Sequence, residues 1–312
     1  MDDTPGCEYA DERSELLIGE LPQNAAECPA LARALFFNYE NRSALMSKLG
    51  NYEKRITYEG KAWDLIERYP QHIPTSQQIS FFYNRAIDLL HTDPQSAVKV
   101  CDAIFSLPES DPFQKSRSLL VKSDALKKID QQEQAGVCIR QAVQLSENVP
   151  PRTRVDAETY PSALRHLGSH LCHIEKDFET AISIFEKILF IFTQQDKANE
   201  LPSRFSAANI LSELGNAYYG LDTKNSGIEH KQDALWHIQQ SIEVFRTARK
   251  EGIKFQPASA EAPYVNAAYA LDYYGLKSEA LALIRELMKM QQDDIYGHKV
   301  INRCKKILEE LQ

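Results

Sequence analysis

Apolar residues in this chain recur three or four positions apart, in blocks separated by prolines and short polar stretches. The clearest block opens with Leu164, Leu167, Gly168 and Leu171. It continues after a short polar gap with Ala181, Phe185 and Ile188. Residues at this spacing share one face of a helix, so the block predicts two helices joined by a short loop. Gly168 and Ala181 are small where two helices must approach closely.

The same pair of stripes recurs along the chain. Leu211, Leu214, Gly215 and Tyr218 are followed by Ala234, Ile238 and Ser241. Tyr264, Ala267, Ala268 and Leu271 are followed by Ala280, Ile284 and Leu287. Upstream, Leu119, Ser123 and Leu126 pair with Ala135, Ile139 and Ala142, and a helix around Phe81–Leu90 pairs with Ala97, Cys101 and Ile104. The first unit reads Leu45, Leu49, then Ile56, Ala62 and Trp63, and ends at Pro70. A last amphipathic stretch carries Ile295, Val300, Ile301, Cys304, Ile307, Leu308 and Leu311 on one face, with Lys305, Lys306, Glu309 and Glu310 opposite. A single hairpin cannot bury its apolar faces alone, so such units stack, and the final amphipathic helix predicts a cap.

Composition agrees with an all-α chain. The 312 residues include only 12 glycines, and ten of the 14 prolines fall between the periodic blocks, at 70/74, 94, 108/112, 150/151, 202 and 257/263. That placement predicts helices with defined joints rather than a sheet full of tight turns. The formal charge is −8, but residues 1–29 hold eight acids against Arg13 alone, leaving a nearly neutral body. This charge distribution carries no basic footprint for nucleic acid. The acidic segment 1–29 is expected to be partly disordered, solubilising or partner-binding. The six cysteines include no C-x-x-C pair and read as small buried hydrophobes of a reducing, cytoplasmic setting. No apolar run of membrane-spanning length and no signal-peptide core are found, so membrane insertion is not expected.

The strings Leu214-Gly215-Asn216-Ala217-Tyr218, Asp177-Phe178-Glu179-Thr180-Ala181-Ile182 and Lys277-Ser278-Glu279-Ala280-Leu281 resemble the tetratricopeptide-repeat (TPR) family. The resemblance covers about residues 30–290 and is closest in the last three units. It implies a right-handed superhelical solenoid of about six hairpins with a C-terminal capping helix. The hairpins fall at 30–70, 75–108, 112–148, 156–196, 203–251 and 260–291, and the cap at 293–312, within one solenoid spanning 30–312. The anchor positions of the second helices are 55, 97, 135, 181, 234 and 280. All lie farther apart than the family's repeat of about 34 residues. The longest interval, from 181 to 234, is attributed to an insertion at 221–230.

No phosphate-binding glycine loop, zinc-protease motif or nucleophile elbow is present. The chain is therefore expected not to be an enzyme and to need no cofactor or metal. His166, His170 and His173, spaced i, i+4, i+7, are predicted to share one helical face. They could be packed or solvated residues, part of a ligand groove, or metal ligands. The resemblance implies that Asn216, Asn266, Lys299 and Arg303 match four of the five positions with which chaperone-binding members clamp a peptide's terminal carboxylate. Ser212 stands where the fifth, a lysine, is expected. The expected partner is a protein or short peptide segment held in a concave groove, as in a scaffold or adaptor. A peptide-regulated switch acting on a second partner is the alternative, and a histidine-lined enzyme or metal site a more distant one.

Overall fold

The computed structural model describes residue 13 and residues 28–49, 51–90, 92–107, 110–197, 204–253, 255, 257–291 and 297–311. The acidic segment 1–29 lies almost entirely outside these. Thirteen α-helices and no strand are present among the described residues. They are α1 (Pro29–Lys48), α2 (Tyr52–Arg68), α3 (Thr75–Leu89), α4 (Pro94–Ser106), α5 (Pro112–Lys128), α6 (Gln132–Ser146) and α7 (Arg154–His170). After these come α8 (Phe178–Lys197), α9 (Arg204–Asn225), α10 (Lys231–Lys250), α11 (Glu261–Tyr273), α12 (Lys277–Gln291) and α13 (Gly297–Glu310). The chain divides into two compact units, Met1–Cys138 and Ile139–Gln312, the division falling within α6.

The starts of these helices follow from the sequence. Pro94 and Pro112 occupy first-turn positions, where a missing N–H costs nothing. Asp93 accepts the Ser96 N–H, and Asp111 with Gln114 forms a reciprocal capping box. Thr153 caps α7 through the Asp156 N–H. Each such cap is worth about 1 kcal/mol.

In the first unit, α1/α2 and α3/α4 form hairpins over an aromatic-rich core. Phe36 of α1 meets the edge of Phe81 of α3 at 5.6 Å, and Trp63 of α2 packs against Phe82 at 5.1 Å. Burying each such ring contributes about 1.5–3 kcal/mol. Ile56, placed on the core stripe by the sequence pattern, is instead 63% exposed. The buried face of α2 runs through Tyr58, Ala62, Leu65 and Ile66, and Ile56 projects away from it.

In the second unit the hairpins are α7/α8, α9/α10 and α11/α12, with α13 packed against the last. Leu164, Leu171, Phe185, Ile188 and Leu214 fill one core; Ile238, Phe245, Tyr264, Ala268, Ile284 and Leu287 fill the next. Gly168 and Gly215 are the close-approach points. A Cβ at Gly168 would lie 2.6 Å from the Phe185 ring, and one at Gly215 would lie 2.6 Å from Ile238 and 3.0 Å from the Ala234 carbonyl. On α13, Val300, Cys304 and Ile307 are buried, as is Leu311 just after it, while Lys305, Lys306, Glu309 and Glu310 face out. Ile295 lies outside the described residues. The 221–230 insertion is half helical: residues 221–225 extend α9, and 226–230 form the turn. In the run 188–192, Ile188 is fully buried but Phe190 is 64% exposed, because one side only of α8 is covered there.

Candidate functional site

The site is built on the first helices of the second unit's hairpins. α7 does not end as an ordinary helix. Leu171–Glu175 form a π-helical turn, terminated by Lys176 in the left-handed region at φ 58°. The widened turn shifts the register of everything after His170. On the next first helix, Asn216, Tyr219, Gly220, Thr223 and Lys224 fall at the i, i+3, i+4, i+7, i+8 spacing of one helical face. On α11, Asn266 and Tyr269 are three apart and share a face in the same way. These faces meet the π-turn around an open recess of about 540 Å³. Cys172, His173, Lys176 and Phe178 line one side, the α9 residues line the floor, and Asn266 and Tyr269 line the other side. A volume of this size is in the range of small-ligand and peptide side-chain sites.

The recess gathers His173, Asn216 and Asn266 of the sequence-predicted set. The others lie elsewhere. His170 is 3% exposed, with Nε2 at 3.1 Å from Glu175 Oε1, which also accepts from Arg140 at 2.5 Å. His166 Nδ1 lies 2.9 Å from the Ser162 carbonyl. His173, half exposed, sits 3.7 Å from Glu213 Oε2. The three histidines therefore do not present one face. The π-turn carries His173 away from the line of the other two, and His170 points inward. Among the described residues no group of three or more His, Cys, Asp or Glu side chains is placed to hold a metal.

The expected carboxylate clamp is also dispersed. Asn266 Nδ2 donates to Ser212 Oγ at 3.2 Å, so the residue standing in the lysine position is a buried tie between α9 and α11. Arg303 is exposed and paired with Glu261 at 2.9 Å. Lys299 falls on α13, and its side chain lies outside the described residues.

Phe178, Tyr219, Tyr269, Lys176 and Lys224 were not singled out from the sequence. The α9 members were visible in principle as a helical stripe. Tyr269 donates to Glu310 at 2.9 Å, and Tyr219 meets Tyr273 edge-on at 5.4 Å. Lys224 donates to the Lys176 carbonyl at 3.2 Å, and its ammonium sits 5.9 Å from the Phe178 ring centre. Cys172 is 1% exposed, and burial pushes its thiol up to about 12, so it carries no thiolate at neutral pH.

No protein-family model matches the chain, and no curated protein matches it. Among solved structures it is similar to the apo form of RapI, at 14% identity over 98% of this chain and 82% of that one, with a TM-score of 0.59. It is also similar to aspartyl phosphate phosphatase F from Bacillus subtilis, at 13% identity over 97% and 79% of the two chains, with a TM-score of 0.53. At these identities the likeness is one of fold. The chain has the tetratricopeptide-like repeat fold. Within one such hairpin, Gly215 of α9 closes onto Ile238 of α10. Among the described residues no helix is long and apolar enough to cross a membrane.

Proposed function

We propose that the chain is a non-catalytic repeat protein that holds a short peptide segment of a partner in the recess between the π-turn, α9 and α11. One observation carries this reading: the amides of Asn216 and Asn266, on successive first helices, line one recess together with the rings of Phe178, Tyr219 and Tyr269. A carboxamide offers a donor and an acceptor together, which suits a peptide backbone. The rings offer apolar area at little cost in side-chain entropy. The only thiol on the lining, Cys172, is buried and protonated, which supports a binding role over nucleophilic chemistry.

The test is an array of acetylated, amidated octapeptides of randomised sequence, probed with the full chain labelled at its amino terminus. A subset should bind saturably, and the N216A/N266A double variant, shown folded by circular dichroism, should lose about tenfold or more in affinity for that subset. The reading fails if nothing binds saturably, or if the double variant binds the same peptides equally well.

A further inference from the structure

The charge on the recess is at odds with the chain. The sequence carries −8 overall, yet none of the residues lining the recess is Asp or Glu, while two, Lys176 and Lys224, are lysines at the same edge. His173 is a third basic group there, but Glu213 lies 3.7 Å from it and offsets it. The two lysines are held differently. Lys176 is exposed and ends the π-turn with a left-handed backbone. Lys224 is tethered through one N–H to the Lys176 carbonyl, with its ammonium near the Phe178 ring. The tether uses one of three protons of that ammonium and leaves the others for a ligand. The nearest carboxylate to Lys224 is Glu179, at 4.0 Å, with both side chains about half exposed. An exposed contact of that length is worth little and yields readily to an incoming anion. Asn216 adds an uncharged donor next to the pair.

From this arrangement we infer that the recess selects a peptide with an anionic side chain, a carboxylate or a phosphate monoester, which docks on Lys176 and Lys224 while its neighbour packs on Tyr219 and Tyr269. The inference rests on the peptide-binding reading above and names the chemistry that reading leaves open. Two ammonium groups lining one recess suit an oxyanion, and their joint attraction exceeds that of either alone. No lining carboxylate opposes it. A cationic segment would meet two like charges and lose affinity.

The experiment uses the full chain and three matched octapeptide sets that differ only at one central position, occupied by Glu, Gln or phosphoserine. Glu and phosphoserine members should bind at least about tenfold tighter than their Gln counterparts, and the preference should shrink as salt rises. In K176Q/K224Q the preference should disappear, Glu, phosphoserine and Gln peptides then binding alike. Comparing Glu with phosphoserine separates a plain acidic segment from a phosphorylated one. Equal binding of Glu and Gln sets, a preference that survives K176Q/K224Q, or tighter binding of Lys-substituted peptides would overturn the inference and leave the groove intact. If no set binds, the peptide-binding reading falls and this inference with it.

Discussion

The carboxylate of Asp222 lies 2.9 Å from Nδ1 of His230, closing the turn between α9 and α10. The same oxygen accepts the His230 backbone N–H at 2.9 Å, and the other accepts the Tyr274 hydroxyl at 2.8 Å. Asp222 is 1% exposed. Burial pushes its carboxyl up, but the hydrogen bonds from His230 and Tyr274 outweigh this and hold it below the ordinary aspartate range. A depressed carboxyl contributes stability that is present above its unfolded pKa of about 3.9 and is lost as pH falls through the lower folded value. D222A is expected to cost about 2–4 kcal/mol at pH 7, because His230 and Tyr274 lose their acceptor. D222N is expected to lose less stability than wild type between about pH 5 and pH 2. Urea denaturation at a series of pH values reads both effects; parallel pH curves for wild type and D222N would refute the linkage.

Substitutions at glycine should have opposite signs within one chain. G215A places a methyl group against Ile238 and the Ala234 carbonyl, and overpacking of this kind costs about 1–3 kcal/mol. G168A meets only the Phe185 side chain and no backbone atom, so its cost should be smaller. Gly60 on α2 has nothing within 4 Å of the added carbon, and G60A should stabilise by about 0.5–1 kcal/mol. Thermal melts of the three variants give the order G60A above wild type above G168A above G215A.

Buried thiols should be silent. Burial pushes Cys101 and Cys172 up to about 12 and Cys304 up to about 11, and each is at most 2% exposed. In a C7S/C28S variant at pH 8, a thiol reagent should react at these positions only as fast as the chain opens, and promptly in denaturant. Rapid labelling of Cys172 in the native protein would contradict the packing around the recess.

Glu286 joins α10, α11 and α12 at one point. It receives Arg246 through two bonds, of 3.1 and 2.7 Å, and the Tyr264 hydroxyl at 2.8 Å. Y264F removes a single bond from a well-fitted ring and should cost about 1 kcal/mol. E286A leaves Tyr264, whose ring is fully buried, without its acceptor, and should cost about 2–4 kcal/mol. A double-mutant cycle between positions 264 and 286, followed by urea denaturation, should give a coupling of about 1 kcal/mol.

The hairpins were legible because their contact points need small residues at fixed spacing. Ala97, Ala135, Ala181, Ala234 and Ala280, read as second-helix anchors, are each 0% exposed. The first anchor reading, at 55, falls on a different kind of contact. Arg55 is a partly buried ionic hub that bonds Glu59 and Asp88, while Ala62 is the fully buried small residue of α2. Asn216 and Asn266 were read as groove residues, and both line the recess. The histidine face was misread for a backbone reason. Periodicity assumes 3.6 residues per turn, and nothing in Leu171-Cys172-His173-Ile174-Glu175 marks the wider turn that carries His173 off the line. The lysine edge was invisible for a related reason: Lys176 and Lys224 are 48 positions apart and meet only after the π-turn closes back on α9.

That wider turn also bears on how the chain can change over time. It carries Leu171 and Cys172 into the core that holds Leu164 and Phe185, and it absorbs its irregularity at Lys176. Gaining or losing one residue after Cys172 would swing the side chains that follow around the mouth of the recess while Leu171 and Cys172 keep their places in the layer beneath. A lineage carrying this fold could therefore exchange the groups at the mouth of the recess by single-residue length changes past Cys172.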